Sequence, residues 1–299
     1  MTTISRASEP AVGGIPLPRV HPSFTAKLSG EAYQTLSGLV YQHSRIRLAP
    51  DKQPMLANRL RKRLRTLGLT SYDDYCEVLH SAQGPSEIEH LVDLISTNHT
   101  RFFREPSHFT FLTESILLQL VSHLSGKGDS LRIWSSAAAS GEEPYTLAIV
   151  LAEYFGQQPS VDWQIEASDI SHRMLEHAEQ GIYPLDGGHA LPPELLRRYF
   201  ERGVRTREGT CRVKAGLREH IRFQRINLFQ AEYPVAREQH VIFCRNVMIY
   251  FDPPSRATLV QKLTRHLAPG GFLFIGHSES LLGIRHDLQP VRQSVFRKP

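Results

Sequence analysis

The 299-residue chain predicts an α/β fold on a largely parallel sheet, preceded by a small helical bundle. From Lys27 to about Ser96, apolar residues recur at helical spacing and strand-like runs are nearly absent. From about Leu131, short apolar runs alternate with amphipathic stretches, as parallel strands covered on both faces require. One segment breaks that rhythm. C-R-V-K-A-G-L-R-E-H-I-R-F-Q holds two short alternating stretches around Ala215-Gly216, which predicts a small antiparallel insertion at about 203–224.

The elements follow in chain order. Residues 1–23 are polar and rich in Pro and Gly, without the apolar core of a signal peptide, and are expected to form a disordered tail on a cytoplasmic protein. Within a helical domain at 24–96, helices are predicted at Glu31–Gln42, Gln53–Leu67, Ser71–Leu79 and Ser86–Ile95. The second carries Leu56, Leu60, Leu64 and Leu67 on one stripe, and the third follows a capping Ser. A connector, 97–130, leads into an α/β domain at 131–299. Its strands are predicted at Leu131–Trp134, Gln164–Ser168, Val241–Cys244 and Phe272–Ile275. Its helices are predicted at Pro144–Tyr154, Ser171–Gln180, Pro192–Glu201 and Pro254–Leu267.

Composition narrows the function classes. A net charge of +5 is modest for this length and does not imply a nucleic-acid partner. No stretch approaches the roughly 20 apolar residues of a membrane span, so no membrane insertion is expected. Cys76, Cys211 and Cys244 lie far apart, which fits a reducing compartment. The histidines form neither H-E-x-x-H nor a Cys/His cluster with zinc spacing, so no metal is expected.

In an open α/β sheet, ligands bind at the carboxyl ends of the strands. The first strand runs into A-S-G-E-E-P-Y-T (139–146), a nucleotide-type turn with two adjacent carboxylates, Glu142 and Glu143, where phosphate would be repelled. Asp169 follows the second strand, an acid suited to a ribose diol. Arg225-Ile226-Asn227-Leu228 and Cys244-Arg245-Asn246-Val247-Met248-Ile249-Tyr250-Phe251 lie at the other strand-associated loops. Taken singly, each has a plainer reading: Asp169 as a helix cap, Asn227 as a turn residue, the acids as partners of a helix dipole. Together they fall on one edge of one sheet. A ligand with ribose and base but no phosphate, bearing an ammonium, fits that edge, and S-adenosylmethionine has this chemistry.

T-N-H-T-R-F-F-R-E (97–105), W-S-S-A-A-A-S-G-E-E-P-Y (134–145), A-S-D-I (167–170) and F-C-R-N-V-M-I-Y-F (243–251), supported by G-H-S-E (276–279), carry a family resemblance. In these motifs, and from about Phe24 to Phe296, the sequence resembles the chemotaxis receptor glutamate methyltransferases, the CheR family. The resemblance implies a Rossmann-like class I methyltransferase domain with a small antiparallel β-subdomain insertion, behind a small all-α N-terminal domain. It implies methyl transfer from S-adenosylmethionine to glutamate side chains of methyl-accepting chemotaxis receptors, giving glutamate 5-O-methyl ester and S-adenosylhomocysteine. Asn98, Thr100 and Arg104 would close over the methionine part of the cofactor, Glu142 would meet its ammonium and Asp169 its ribose. Asn227 and Leu228 would border adenine, Arg245 and Asn246 would complete the pocket, and Tyr250 would lie near the methyl. Arg104 and Tyr250 would orient the incoming carboxylate. The family usually has Ser-Thr or Ser-Ser where this chain has Ala139-Ser140, which removes one loop hydroxyl.

The acceptor glutamate, with a pKa near 4.3, is already ionised at neutral pH, so alignment matters more than a general base. Arg59, Lys62 and Arg63, with Arg61 and Arg65, form a basic stretch that reads either as a solvated face or as a docking surface for acidic receptor helices. In some members the β-subdomain also takes a receptor's C-terminal peptide by strand addition. Two alternatives stand beside this reading. A nucleic-acid methyltransferase would share the cofactor fold, although no N-P-P-Y/F motif follows the third strand and the basic residues cluster on one helix. A regulatory module would bind the cofactor without transferring methyl. Nothing in the sequence requires a dimer, and a monomer is expected.

Overall fold

The computed structural model describes residues 26–124, 129–156, 161–185 and 191–299, and the expected tail lies outside them. The helical unit comprises α1 (Gly30–Ser44), α2 (Gln53–Leu67), α3 (Tyr72–His80) and α4 (Gly84–Ile95). Local signals set its boundaries. Ser29 accepts from the Ala32 amide at the start of α1, a Ser71/Asp74 capping box opens α3, and Gly68 closes α2 at φ 71°. Leu36, Val40, Leu56, Leu60, Leu64, Tyr75 and Leu91 fill the core of the unit. Leu67, expected on the same stripe, is 37% exposed and is the last residue of α2 before the Gly68 cap.

The connector is itself helical: α5 (Pro106–Phe111), a π-helical turn at Leu112–Ile116, and α6 (Leu117–Leu124). Phe109, Leu112, Ile116 and Leu117 are buried in the main core, so this segment covers one face of the sheet. Then come β1 (Leu131–Ser135), α7 (Glu142–Phe155), β2 (Trp163–Asp169), α8 (His172–Gln180), β3 (Ile182–Pro184), α9 (Pro193–Tyr199), β4 (Phe200–Arg202), β5 (Thr210–Val213), α10 (Ala215–Arg218) and β6 (Ile221–Arg225). The chain ends with β7 (Gln239–Cys244), α11 (Pro253–His266), β8 (Leu267–Ile275), β9 (Gln289–Arg292) and β10 (Val295–Arg297).

Seven strands form one sheet in the order β6-β2-β1-β7-β8-β10-β9. The five from β6 to β8 are parallel, and β10 pairs antiparallel with β8 and β9. The chain leaves β1 toward β2 on one side and returns to β7 on the other. That reversal opens a crevice at the carboxyl ends of β1, β2 and β7.

The small antiparallel sheet exists, but of its three strands only the central one falls within 203–224. Its order is β3-β5-β4, so it draws on Ile182–Pro184, Phe200–Arg202 and Thr210–Val213. Ala215-Gly216 opens the helical turn α10 instead of a hairpin, and Ile221–Arg225 joins the main sheet parallel to β2. Alternation in Ile221–Arg225 marked a strand correctly, but alternation carries no information about which partner a strand will choose. Likewise α9 stops at Tyr199 and Phe200 begins a strand, paired with Val213 and edge-on to Phe102. The β9–β10 hairpin was not anticipated. All four residues of β9 are exposed, so no apolar pattern announces it.

Candidate active site

The loop after β1 turns on Gly141 at φ 98°, where a Cβ would lie 2.7 Å from Tyr183 Oη and 2.8 Å from the Ala178 Cβ. Only glycine fits there. Ala139 is also left-handed, at φ 46°, which aims its N–H at Asp169 Oδ2, 2.8 Å away. Asp169 Oδ1 accepts from the Ser171 amide at 2.9 Å. Burial pushes the Asp169 carboxyl up, against the pull of these amide bonds. The loop thus binds an acid of its own chain through a backbone N–H, a contact that needs no side-chain hydroxyl at Ala139.

At the crevice lies a cavity of about 910 Å³, counting its open mouth. Asn98, Thr100 and Arg104 line it from the connector, Asp169 from β2, Asn227 and Leu228 from the segment after β6, and Arg245, Asn246 and Tyr250 from the loop after β7. Four motifs separated by up to about half the chain therefore meet on one wall. Glu142 is not on it. Its carboxylate, in a residue only 4% exposed, accepts from Ser140 Oγ at 2.6 Å, and the cavity is faced by Glu143 instead. Successive residues of a helix are rotated by about 100°, so at the start of α7 only one of two adjacent acids can point into the crevice.

Glu143 is held firmly. Its Oε1 accepts from Ser135 Oγ at 2.8 Å, and its Oε2 meets Arg245 Nη1 at 3.0 Å. Burial pushes its carboxyl up while Arg245 and Ser135 oppose. The Arg245 side chain, 1% exposed, also meets Glu105 Oε2 at 2.9 Å, donates to the Arg104 carbonyl, and lies 5.5 Å from the Phe109 ring centroid and 5.8 Å from that of Phe243. Burial raises the Glu105 carboxyl, but Arg245, Asn246 and the His277 amide outweigh it and hold it at about 2. With Glu143 ionised, the Arg245 guanidinium is shared between two carboxylates, so it is neutralised within the wall, and Glu143 and Asp169 put acid on a lining that also carries Arg101 and Arg104.

Sequence reasoning missed other parts of this wall. Ser44 and Ile46, from the end of α1, reach the cavity from the helical unit, and Phe229 borders it beside Leu228. Tyr250 is tied to the same turn, its carbonyl accepting from the Arg47 amide at 3.0 Å. Asn227 Nδ2 donates to the His43 carbonyl at 2.5 Å. Arg104 sits at intermediate depth with Nη1 on the His99 carbonyl at 2.8 Å. Glu105, His108 and His277 bring potential metal-ligand atoms within 4.8 Å of one another. Arg245 and Asn246 already engage that carboxylate, and the guanidinium opposes a cation beside it.

The basic stretch divides. Arg59 Nη1 donates to the carbonyls of Leu94, Ile95 and Ser96, capping α4. Arg63 forks onto Glu87 at 2.9 and 2.5 Å, and Tyr75 Oη donates to the same acid at 2.8 Å. These two arginines are engaged within the bundle, between α2 and α4. Lys62 is exposed, with Arg61 and Arg65 beside it in sequence.

A parallel sheet whose cofactor crevice carries acid at both the first loop and the second strand defines a class, the S-adenosylmethionine-dependent methyltransferases. The chain belongs within it to the CheR methyltransferase family. Residues 98–296 match the family's S-adenosylmethionine-binding domain and residues 31–96 its all-alpha domain. The chain is 38% identical to the chemotaxis protein methyltransferase of Salmonella typhimurium, over 90% of each chain. It is 40% identical to that of Escherichia coli K12, over 90% of this chain and 91% of that one. It is likewise 40% identical to chemotaxis protein methyltransferase 2 of Pseudomonas aeruginosa, over 89% and 92%.

Proposed function

We propose that the protein methylates glutamate side chains of chemotaxis receptors in the cytoplasm, as a monomer. The observation that carries this reading is the shared cavity wall, where Arg104 and Tyr250 stand beside the acid-lined crevice of Glu143 and Asp169. S-adenosylmethionine supplies a methyl on a sulfonium, and its transfer forms the ester C–O bond as the C–S bond breaks, leaving the electron pair on sulfur of S-adenosylhomocysteine. Glu143 receives the ammonium, Asp169 the ribose hydroxyls, and Asn227, Leu228, Phe229 and Ile46 flank the adenine. Asn98 and Thr100 close the connector side, while Asn246 completes the bed and Arg245 holds Glu143 in place. Arg104 draws in the acceptor carboxylate and Tyr250 orients it. No proton needs to move, because the acceptor is ionised at neutral pH. Alignment of this kind is worth several of the roughly 7–11 kcal/mol available to well-oriented reactants.

The helical unit docks acidic receptor helices through Lys62 with Arg61 and Arg65, and the antiparallel sheet offers the edges β3 and β4 to a receptor tail peptide. The test is incubation with radiolabelled S-adenosylmethionine and receptor-rich membranes. Label released as methanol in alkali supports a glutamate ester. Alkali-stable label on nucleic acid, or no transfer at all, discards the reading. Calorimetry with receptor tail peptides tests the tether separately.

A further inference from the structure

G-H-S-E (276–279) follows β8 and ends in Glu279. Glu279 is 9% exposed and does not line the cavity, yet its carboxylate is fully engaged. Oε2 accepts from the amides of Gly276 at 2.6 Å and Asn246 at 2.8 Å, and Oε1 accepts from the Met248 amide at 2.7 Å. Two of these donors belong to the loop that leaves β7, where strand pairing has ended and amides need other partners. Asn246 is left-handed at φ 58°, a conformation asparagine accepts more readily than most residues, and its amide is bonded there by Glu279. Gly276 is what allows the approach, since a Cβ there would lie 2.4 Å from Asn246 Nδ2 and 2.9 Å from Glu279 Oε2. From the other side, Glu105 holds the Arg245 and Asn246 side chains. One carboxylate grips the side chains of this loop and another grips its backbone.

We propose that Glu279 is a positioning residue: it fixes the backbone of residues 246–248 and thereby sets the pose of Tyr250 for methyl transfer. The proposal rests on the methyltransferase reading for its catalytic consequence, and on hydrogen bonding alone for its structural one. An amide in place of the carboxylate turns an NH₂ toward N–H donors, so E279Q removes acceptors with little change of shape.

The test compares E279Q with wild type in hydrogen exchange read by mass spectrometry, with and without S-adenosylhomocysteine, and in steady-state methylation of receptor membranes. Exchange in peptide 244–251 should quicken at least tenfold while β8 keeps its protection. At saturating cofactor kcat should fall at least tenfold, with receptor KM within threefold of wild type. Wild-type exchange in 244–251, or a kcat within twofold of wild type, overturns the proposal. So does loss of protection throughout β8, which marks a general stability role. If E279Q does not fold, E279D, which keeps the charge but withdraws both oxygens by one methylene, is judged by the same criteria. Failure of the wild type to methylate any receptor sinks the functional reading, and the exchange measurements still decide the role of Glu279.

Discussion

Arg245 carries one buried positive charge between Glu105 and Glu143, so its loss leaves two carboxylates facing each other in the interior. R245Q should cost about 3–5 kcal/mol in chemical denaturation, the usual consequence of stranding a buried partner. Glu105 adds a pH signature. Its folded value of about 2 lies below the ordinary 4.5, so its contribution is complete above about 4.5 and drains away as pH falls toward 2. That acid limb should shrink in R245Q. Glu143 is the other residue to test. E143Q should weaken S-adenosylhomocysteine binding by about tenfold in calorimetry, the value of a charge-assisted contact, and E142Q by less. Equal losses would return Glu142 to the ammonium. The sequence showed that acid stood where phosphate could not bind. It could not show which acid, because the phase of α7 is set by the left-handed backbone at Ala139 and Gly141, and those dihedrals depend on Asp169 and Tyr183 from elsewhere in the chain.

At the scale of elements, α2 has two populations of basic residues. Arg59 and Arg63 close the bundle, so reversing them tests folding instead of docking. K62E/R65E leaves those contacts intact. It should raise receptor KM severalfold at low ionic strength, with the gap to wild type closing as salt rises, and should leave thermal unfolding within a degree or two. A KM indifferent to both charges would mean that the patch only solvates the helix. The helices of this unit were legible because their caps and stripes are local signals, as Ser29, Ser71 and Gly68 demonstrate. The antiparallel unit was only half legible. Its strands are three or four residues long and come from three separate places, so their pairing depends on burial of Phe200, Cys211 and Tyr183 against the main core.

For the whole molecule, the question is whether the helical unit is a docking platform alone or also a wall of the cofactor bed. Tyr41 Oη donates to Asp252 Oδ2 at 2.5 Å, the Arg47 amide bonds the Tyr250 carbonyl, and Asn227 bonds the His43 carbonyl. All three ties converge on the end of α1, the turn that sends Ser44 and Ile46 into the cavity. No strand-end motif announces these residues, since they lie about 180 positions from the segment they face and belong to a unit whose periodicity speaks only of its own core. Ile46 packs with the apolar cluster that holds Leu228 and Tyr250. Truncating it removes a few methyl-sized groups from a ligand's surroundings, at about 0.8 kcal/mol each when fully buried. I46A should therefore weaken S-adenosylhomocysteine binding about fivefold to tenfold, measured by calorimetry without receptor. If the helical unit only docks receptors, the same variant will keep its cofactor affinity and change receptor KM alone. A loss of cofactor affinity in the absence of receptor would place the first forty-six residues' last turn in the active site, and would make the two units one catalytic body.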